Sequence, residues 1–213
     1  MKTNIYVDGF NLYYGCLKDT PYRWLDIRAL CQQILPQNMI HRIRYFTALV
    51  DSRPTNPQQR QRQQIYLRAL RTIPNLSIHY GHYLASKVRM PLVNPPDQGP
   101  RTVEVIKTEE KGSDVNIATY MLTDAFDTDC EVMVLLSNDS DLVLPVSIIR
   151  KKFNLVVGMM NPQKKPSVQL QKATAFYRPI RSGPLSVCQF PTQLTDAQGS
   201  FSRPSSWEIP LAK

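Results

Sequence analysis

The sequence predicts an α/β sandwich built on a mainly parallel sheet. Three observations carry that expectation. Short apolar or β-branched runs alternate with stretches of helical period along most of the chain. One run, "EVMVLLSND" at 131–139, lacks the alternation of a half-exposed strand, which marks a strand buried on both faces. Turn residues sit where one period gives way to the next, as at Asp8-Gly9 and Gly112-Ser113.

The elements follow in order. "NIYV" is a strand closed by Asp8-Gly9, and Leu12, Tyr13, Cys16 and Leu17 then recur at helical spacing. "DIRALCQQIL" is a helix with Ile27, Leu30, Cys31, Ile34 and Leu35 on one face, capped by Asp26 and stopped by Pro36. "RIRYFTALV" is a strand. "NPQQRQRQQIYLRALR" is a helix with Asn56 as cap and Pro57 in its first turn. "LSIHYGHYL" reads as one short strand, and 86–112 as irregular, with a loop at "NPPDQGP" and a small strand at "RTVEVI". "DVNIATYMLTDAF" is a helix with Val115, Ala118, Leu122 and Ala125 in one stripe. A central strand at 132–136, a helix at "DLVLPVSIIRKKF", a strand at "NLVVGMM", and a short helix with an edge strand at "SVQLQKATAFYRPI" complete a domain over 1–180. Residues 181–213 hold four prolines and six serines and are expected to be a mostly flexible tail. Phe201 and Trp207 in that tail can dock a protein partner or fold back onto the domain.

Composition narrows the function classes. No window approaches 18 apolar residues, so no membrane partner is expected. "MKTNIYVDGFN" has no apolar core of a signal peptide, and Cys16, Cys31, Cys130 and Cys188 are scattered. A reducing, cytoplasmic setting with free thiols is the expectation, without a zinc site. The net charge of +9 favours a polyanionic partner, nucleic acid first. Arg53, Arg60, Arg62, Arg68 and Arg71 lie around one helix with no acid among them, either a solvated face or a phosphate-facing one. Arg150, Lys151, Lys152, Lys164 and Lys165 form a second basic zone.

Against this basic background the acids share a local grammar. Asp8 ends the first strand, Asp139 and Asp141 end the most buried one, and Asp114 opens a helix after a glycine turn. Each alone reads first as a turn residue or helix cap. Together, at the carboxyl edge of a parallel sheet, they can meet in the crevice where ligands bind. Gathered carboxylates repel unless protons or a cation neutralise them, and hard divalent ions such as Mg²⁺ or Mn²⁺ suit an all-oxygen donor set. Asp124, ten residues along the same helix, is expected to be structural. Neither His79 nor His82 has a partner motif that would make it a general base.

"YVDGFNLYYG" (6–15), "EKGSDVNIATYMLTDA" (110–125) and "VLLSNDSDLVLPV" (134–146), in that order, resemble the NYN domains, the LabA-like branch of the PIN-like ribonucleases. The resemblance spans residues 1–180. It implies a PIN-like three-layer sandwich with helices on both faces of the sheet. It also implies Mg²⁺- or Mn²⁺-dependent phosphodiester cleavage, RNA ahead of DNA, leaving 5′-phosphate and 3′-hydroxyl ends. Position by position, the family's acids fall on Asp8, Asp114, Asp139 and Asp141, its polar partner on Asn11 and its motif serine on Ser137. Ser137, Lys111, Arg60 and Arg62 are the candidate substrate contacts. The last motif departs from the family's usual S-G-D-G-D-F at Asn138, Ser140 and Leu142, and the middle one at Ser113. A catalytically weak or inactive nucleic-acid-binding module stands as the alternative, and a homo-oligomer is left open. A haloacid-dehalogenase-type phosphatase or a Toprim domain fits less well, because the first strand ends Asp-Gly-Phe-Asn.

Overall fold

The computed structural model describes residues 1–52 and 54–207. Strand β1 (Lys2–Asp8) runs into helix α1 (Gly9–Leu12), which continues as a π-helical turn over Tyr13–Leu17. Then come α2 (Ile27–Ile34), β2 (Met39–Thr47), α3 (Gln59–Leu70), β3 (Leu76–Tyr80), β4 (His82–Pro91) and β5 (Thr102–Lys111). Helix α4 (Ser113–Phe126), β6 (Val132–Leu136), a 3₁₀ turn at Ser140–Leu142, α5 (Val143–Lys152), β7 (Val156–Asn161), α6 (Val168–Ala173) and β8 (Phe176–Pro179) follow. The chain then forms α7 (Ser182–Val187), β9 (Gln193–Asp196), β10 (Gly199–Ser202) and a 3₁₀ turn at Ser205–Trp207. No helix among the described residues is long and apolar enough to cross a membrane.

The six-stranded sheet has the order β3-β2-β1-β6-β7-β8, and every pairing in it is parallel. From β1 the chain winds outward through β2 to β3. It then returns to β6 on the other side of β1 and winds outward again to β8. The boundary between β1 and β6 is therefore the point where the winding reverses, and there parallel sheets open a crevice beyond the strand ends. Residues alternate between two cores: Ile5, Val7, Val134 and Leu136 face α2, α3 and α7, while Tyr6, Met133 and Leu135 face α4, α5 and α6. Both central strands are thus buried on both faces, which explains the unbroken apolar run of β6.

Four local expectations need correction. The 82–111 stretch is a long antiparallel hairpin, registered from His82↔Lys111 to Pro91↔Thr102, so "LSIHYGHYL" divides between β3 and β4 and the segment after it is not irregular. Its strands pair only with each other and stay largely exposed, so no burial pattern marked them. Helix α3 starts at Gln59, two residues past Pro57, with the Asn56 carbonyl accepting from the Gln59 amide at 3.2 Å. Helix α4 buries Ile117, Met121, Asp124 and Ala125, leaving Val115 69% exposed. This rotation follows from Asp124, which takes two guanidinium hydrogen bonds from Arg44 (2.6 and 2.9 Å) and one from the Tyr6 hydroxyl (2.7 Å). Asp124 is structural, as expected.

The fourth correction concerns the tail. Residues 181–207 are folded onto the domain, and 208–213 lie outside the described residues. The Pro- and Ser-rich composition masks a few widely spaced anchors. Leu185, Cys188, Phe190 and Trp207 are buried in the core that holds Trp24. The Trp24 indole N–H donates to the Pro191 carbonyl at 2.8 Å, and its ring meets Phe190, Phe201 and Trp207. Arg68 closes the contact with a two-pronged bond to Asp196 at 2.7 and 2.8 Å and lies over Phe201. The four cysteines are free thiols.

Candidate active site

Strand pairing brings the acids to one place. Val7 is registered against Leu136, so Asp8 and the Ser137-Asn138-Asp139 segment leave the sheet side by side. Asp8 caps α1, accepting from the Asn11 amide at 2.9 Å. Its other oxygen accepts from the Asn11 side-chain amide (3.0 Å) and the Ser137 hydroxyl (2.9 Å). Gly9 is required next to it, because a Cβ there would meet the Phe46 carbonyl and the Tyr45 hydroxyl at 2.7 Å. Burial pushes the Asp8 carboxyl above its ordinary range, and these hydrogen bonds act against the rise.

Asp139 caps the following 3₁₀ turn by accepting from the Asp141 amide at 2.9 Å, while its own amide donates to the Ser137 hydroxyl at 3.1 Å. Capping and site-building thus coexist, since each cap engages one oxygen of a carboxylate that has two. Asp141 sits two residues on, exposed at the rim. Asp114 stands in the first turn of α4, set up by Gly112 at φ 98°, a conformation that favours glycine. Its carboxyl is pushed up to about 6, first by burial and then by the charges of Asp139, Asp8, Glu110 and Asp141.

Carboxylates from three stretches of the chain therefore bear on one another. Glu110 is the member that the sequence reading missed. It accepts from the Ser113 amide (3.3 Å) and hydroxyl (2.9 Å), and its place three residues ahead of Ser113 was the available signal. As they stand, no three His, Cys, Asp or Glu side chains among the described residues are arranged to hold a metal ion. By chemistry the donor set fits a hard divalent cation: it is all oxygen, and its members raise one another's protonation.

The candidate substrate contacts divide. Ser137 is fully buried, its hydroxyl donating to Asp8 and accepting from the Asp139 amide, so it positions acids instead of touching substrate. Lys111 lies 3.6 Å from Glu109 at the surface. Arg60 pairs with Asp51 at 3.1 Å, and Arg62 turns to Asn56 and Gln58. The acids missing near this helix come from elsewhere in the chain; Arg53 lies outside the described residues. Lys164 and Lys165 are exposed and line a groove of about 380 Å³ with Asn11 and Asn138, which adjoin Asp8 and Asp139. Asn138, where the resembling family has glycine, holds that lysine loop: its amide donates to the Lys165 carbonyl (3.1 Å) and accepts from the Ser167 amide (2.6 Å). Ser140 is exposed on the turn. His79 packs against both Phe46 and Tyr120 and is pushed down to about 4, chiefly by burial, which suits a half-buried packing ring.

The family model of the NYN domain matches residues 2–180. The chain belongs to the NYN domain family. With membership comes the nuclease-like PIN fold seen here as the six-stranded parallel sheet. This NYN protein is 30% identical over 236 residues to 6-hydroxy-3-succinoylpyridine 3-monooxygenase from Pseudomonas putida (strain DSM 28022 / S16). That alignment covers 97% of this chain and 75% of the relative. A solved protein of unknown function from Vibrio parahaemolyticus RIMD 2210633 shares the fold, with TM-score 0.55 and 20% identity over 84% of this chain and 93% of that one.

Proposed function

We propose that this NYN protein is a divalent-metal-dependent nuclease acting on RNA in preference to DNA. The observation that carries the reading is the gathering of Asp8, Asp114, Asp139 and Asp141 from separate chain segments at the switch point of a basic domain. In this reading Asp8, Asp114 and Asp139 hold Mg²⁺ or Mn²⁺, with Asp141 adding charge at the rim. When bound, such a cation polarises the phosphoryl group and acidifies water. The chain's own residues do the rest. Asn11 and Ser137 fix the Asp8 carboxylate, Asn138 holds the lysine loop against the site, and Lys164 and Lys165 draw the phosphate backbone into the groove.

The test is incubation of single-stranded and structured RNA with pure protein and Mn²⁺ or Mg²⁺. Cleavage that needs the metal and drops at least a hundredfold in Asp8→Asn is the expected result, in the range found when one electrostatic group of a site is removed, about 10²–10³. Asp8→Asn cutting at the wild-type rate would sink the assignment. RNA bound but never cut favours the binding-module alternative.

A second reading rests on one observation. The relative named as a monooxygenase aligns over 97% of this chain, reaching past residue 180, where the NYN match ends. Uptake of dioxygen on adding 6-hydroxy-3-succinoylpyridine and a two-electron reductant, with formation of a hydroxylated product, favours oxygenation of a small aromatic acid over RNA cleavage.

A further inference from the structure

A second concavity opens beside the acids, on the other side of Tyr14, with a volume of about 240 Å³. Its walls come from the turn after β1, the end of β2 and the first half of α3, and Trp207 from the folded tail completes them. Tyr45, Tyr66 and Trp207 are each 6–7% exposed and already fixed: the Tyr66 hydroxyl donates to the Leu25 carbonyl at 2.9 Å, and its ring meets Trp207 edge-on at 6.1 Å. The pocket is therefore preformed and aromatic, the usual character of a small-molecule site.

Its charge is one-sided. Lys18, Arg23 and Arg62 line it against the single acid Asp19. Arg23 donates to the Thr20 and Ser206 carbonyls and lies over the Trp207 ring at 5.5 Å, while Arg62 is held by the side chains of Asn56 and Gln58. Among the described residues neither guanidinium has a carboxylate partner within ion-pair distance. Burial pushes the Tyr13 phenol up, and both arginines pull it back, so both charges reach the same part of the cavity. Drug-sized ligands occupy pockets of roughly 300–1,000 Å³. This one is smaller, sized for one ring with a short arm.

We infer that the pocket binds a one-ring aromatic or heteroaromatic carboxylate, its ring against Tyr45, Tyr66 and Trp207 and its carboxylate on Arg23 and Arg62. Planar guanidinium matches planar carboxylate by paired hydrogen bonds. The inference stands apart from RNA cleavage, because none of these residues belongs to the acid cluster.

The test is calorimetric titration of the full chain with nicotinate and 4-hydroxybenzoate in EDTA, without RNA. Pyridine serves as the ring without charge, succinate as the charge without a ring, and uridine monophosphate as a nucleotide. Saturable binding of an aromatic carboxylate is expected, weakened about tenfold or more in Arg62→Gln and in Arg23→Gln, the size of one lost charge-assisted contact. Binding should persist in Asp139→Asn, which separates this inference from the cleavage reading. Thermal melts establish that the variants are folded. The inference is overturned if neither carboxylate saturates up to concentrations on the order of 10 mM. It is equally overturned if succinate or uridine monophosphate binds more tightly than both, or if folded Arg23→Gln and Arg62→Gln bind like wild type.

Discussion

Asp114 concentrates the electrostatics of the site. Its folded-state carboxyl lies near 6, against an ordinary 3.8, so between about pH 4 and about pH 6 the folded chain holds a proton that the unfolded chain has lost. The sign follows directly. Without metal, stability falls as pH rises through that window and stays lower above it. Asp114→Asn removes the penalty, so in EDTA its melting temperature should exceed that of wild type at pH 7.5 and equal it near pH 4. Thermal melts at a series of pH values check this, and a constant difference across the series would contradict it. For Mn²⁺ binding the same ionisation should give an affinity that climbs with pH through about 6, because a ligating carboxylate must first lose its proton. Asn138 allows a second residue-scale test. Its side chain joins the end of β6 to the Lys165 carbonyl and the Ser167 amide, so Asn138→Gly should free the lysine loop. Faster amide hydrogen exchange over 163–167, with the melting temperature changed only slightly, is the expected outcome. Unchanged exchange there would remove the role assigned to Asn138.

At the scale of elements, two packing arguments have consequences for stability. Asp124 on α4 is buried and meets Arg44 from β2 and Tyr6 from β1. Asp124→Asn leaves the Arg44 guanidinium, 13% exposed, without its charge partner and should cost about 3 kcal/mol in chemical denaturation. The tail docks through its aromatic anchors, so Phe190→Ala should cost about 3 kcal/mol by leaving a cavity against Trp24. A change within ±0.5 kcal/mol would mean that the tail is not part of the cooperative unit. These elements also show what a sequence makes legible. β1, α2, β2 and β6 could be read because burial on one or both faces imprints a period. The β4–β5 hairpin could not, since its residues answer to each other and to solvent, not to a core. Helix α4 is apolar on nearly every side, so its period offered several stripes, and only the distant Arg44 and Tyr6 decide among them. The tail's anchors are too far apart in sequence to make any period. For the candidate site, the convergence of Asp8, Asp114, Asp139 and Asp141 was legible from strand-end and turn grammar. Glu110 was hidden as one more exposed-looking acid on the hairpin. The distribution of Arg60, Arg62 and Ser137 among local partners depended on contacts that no spacing encodes.

At the scale of the whole molecule, the candidate site depends on where the winding of the sheet reverses. Because β1 and β6 are neighbours and parallel, the two most buried strands deliver Asp8 and Asp139 to the same edge, and the turn before α4 adds Asp114. A domain that is basic overall holds an acidic point, with the Lys164–Lys165 groove and the aromatic, arginine-bearing pocket meeting at Tyr14. The central claim is that these carboxylates form one cation site. Calorimetric titration of the metal-free protein with Mn²⁺ tests it most directly. Saturable binding is predicted for wild type, weakened at least tenfold in Asp8→Asn, Asp114→Asn and Asp139→Asn alike, as expected when ligands share one ion. Binding that is absent in wild type, or unaffected by all three substitutions, would contradict it.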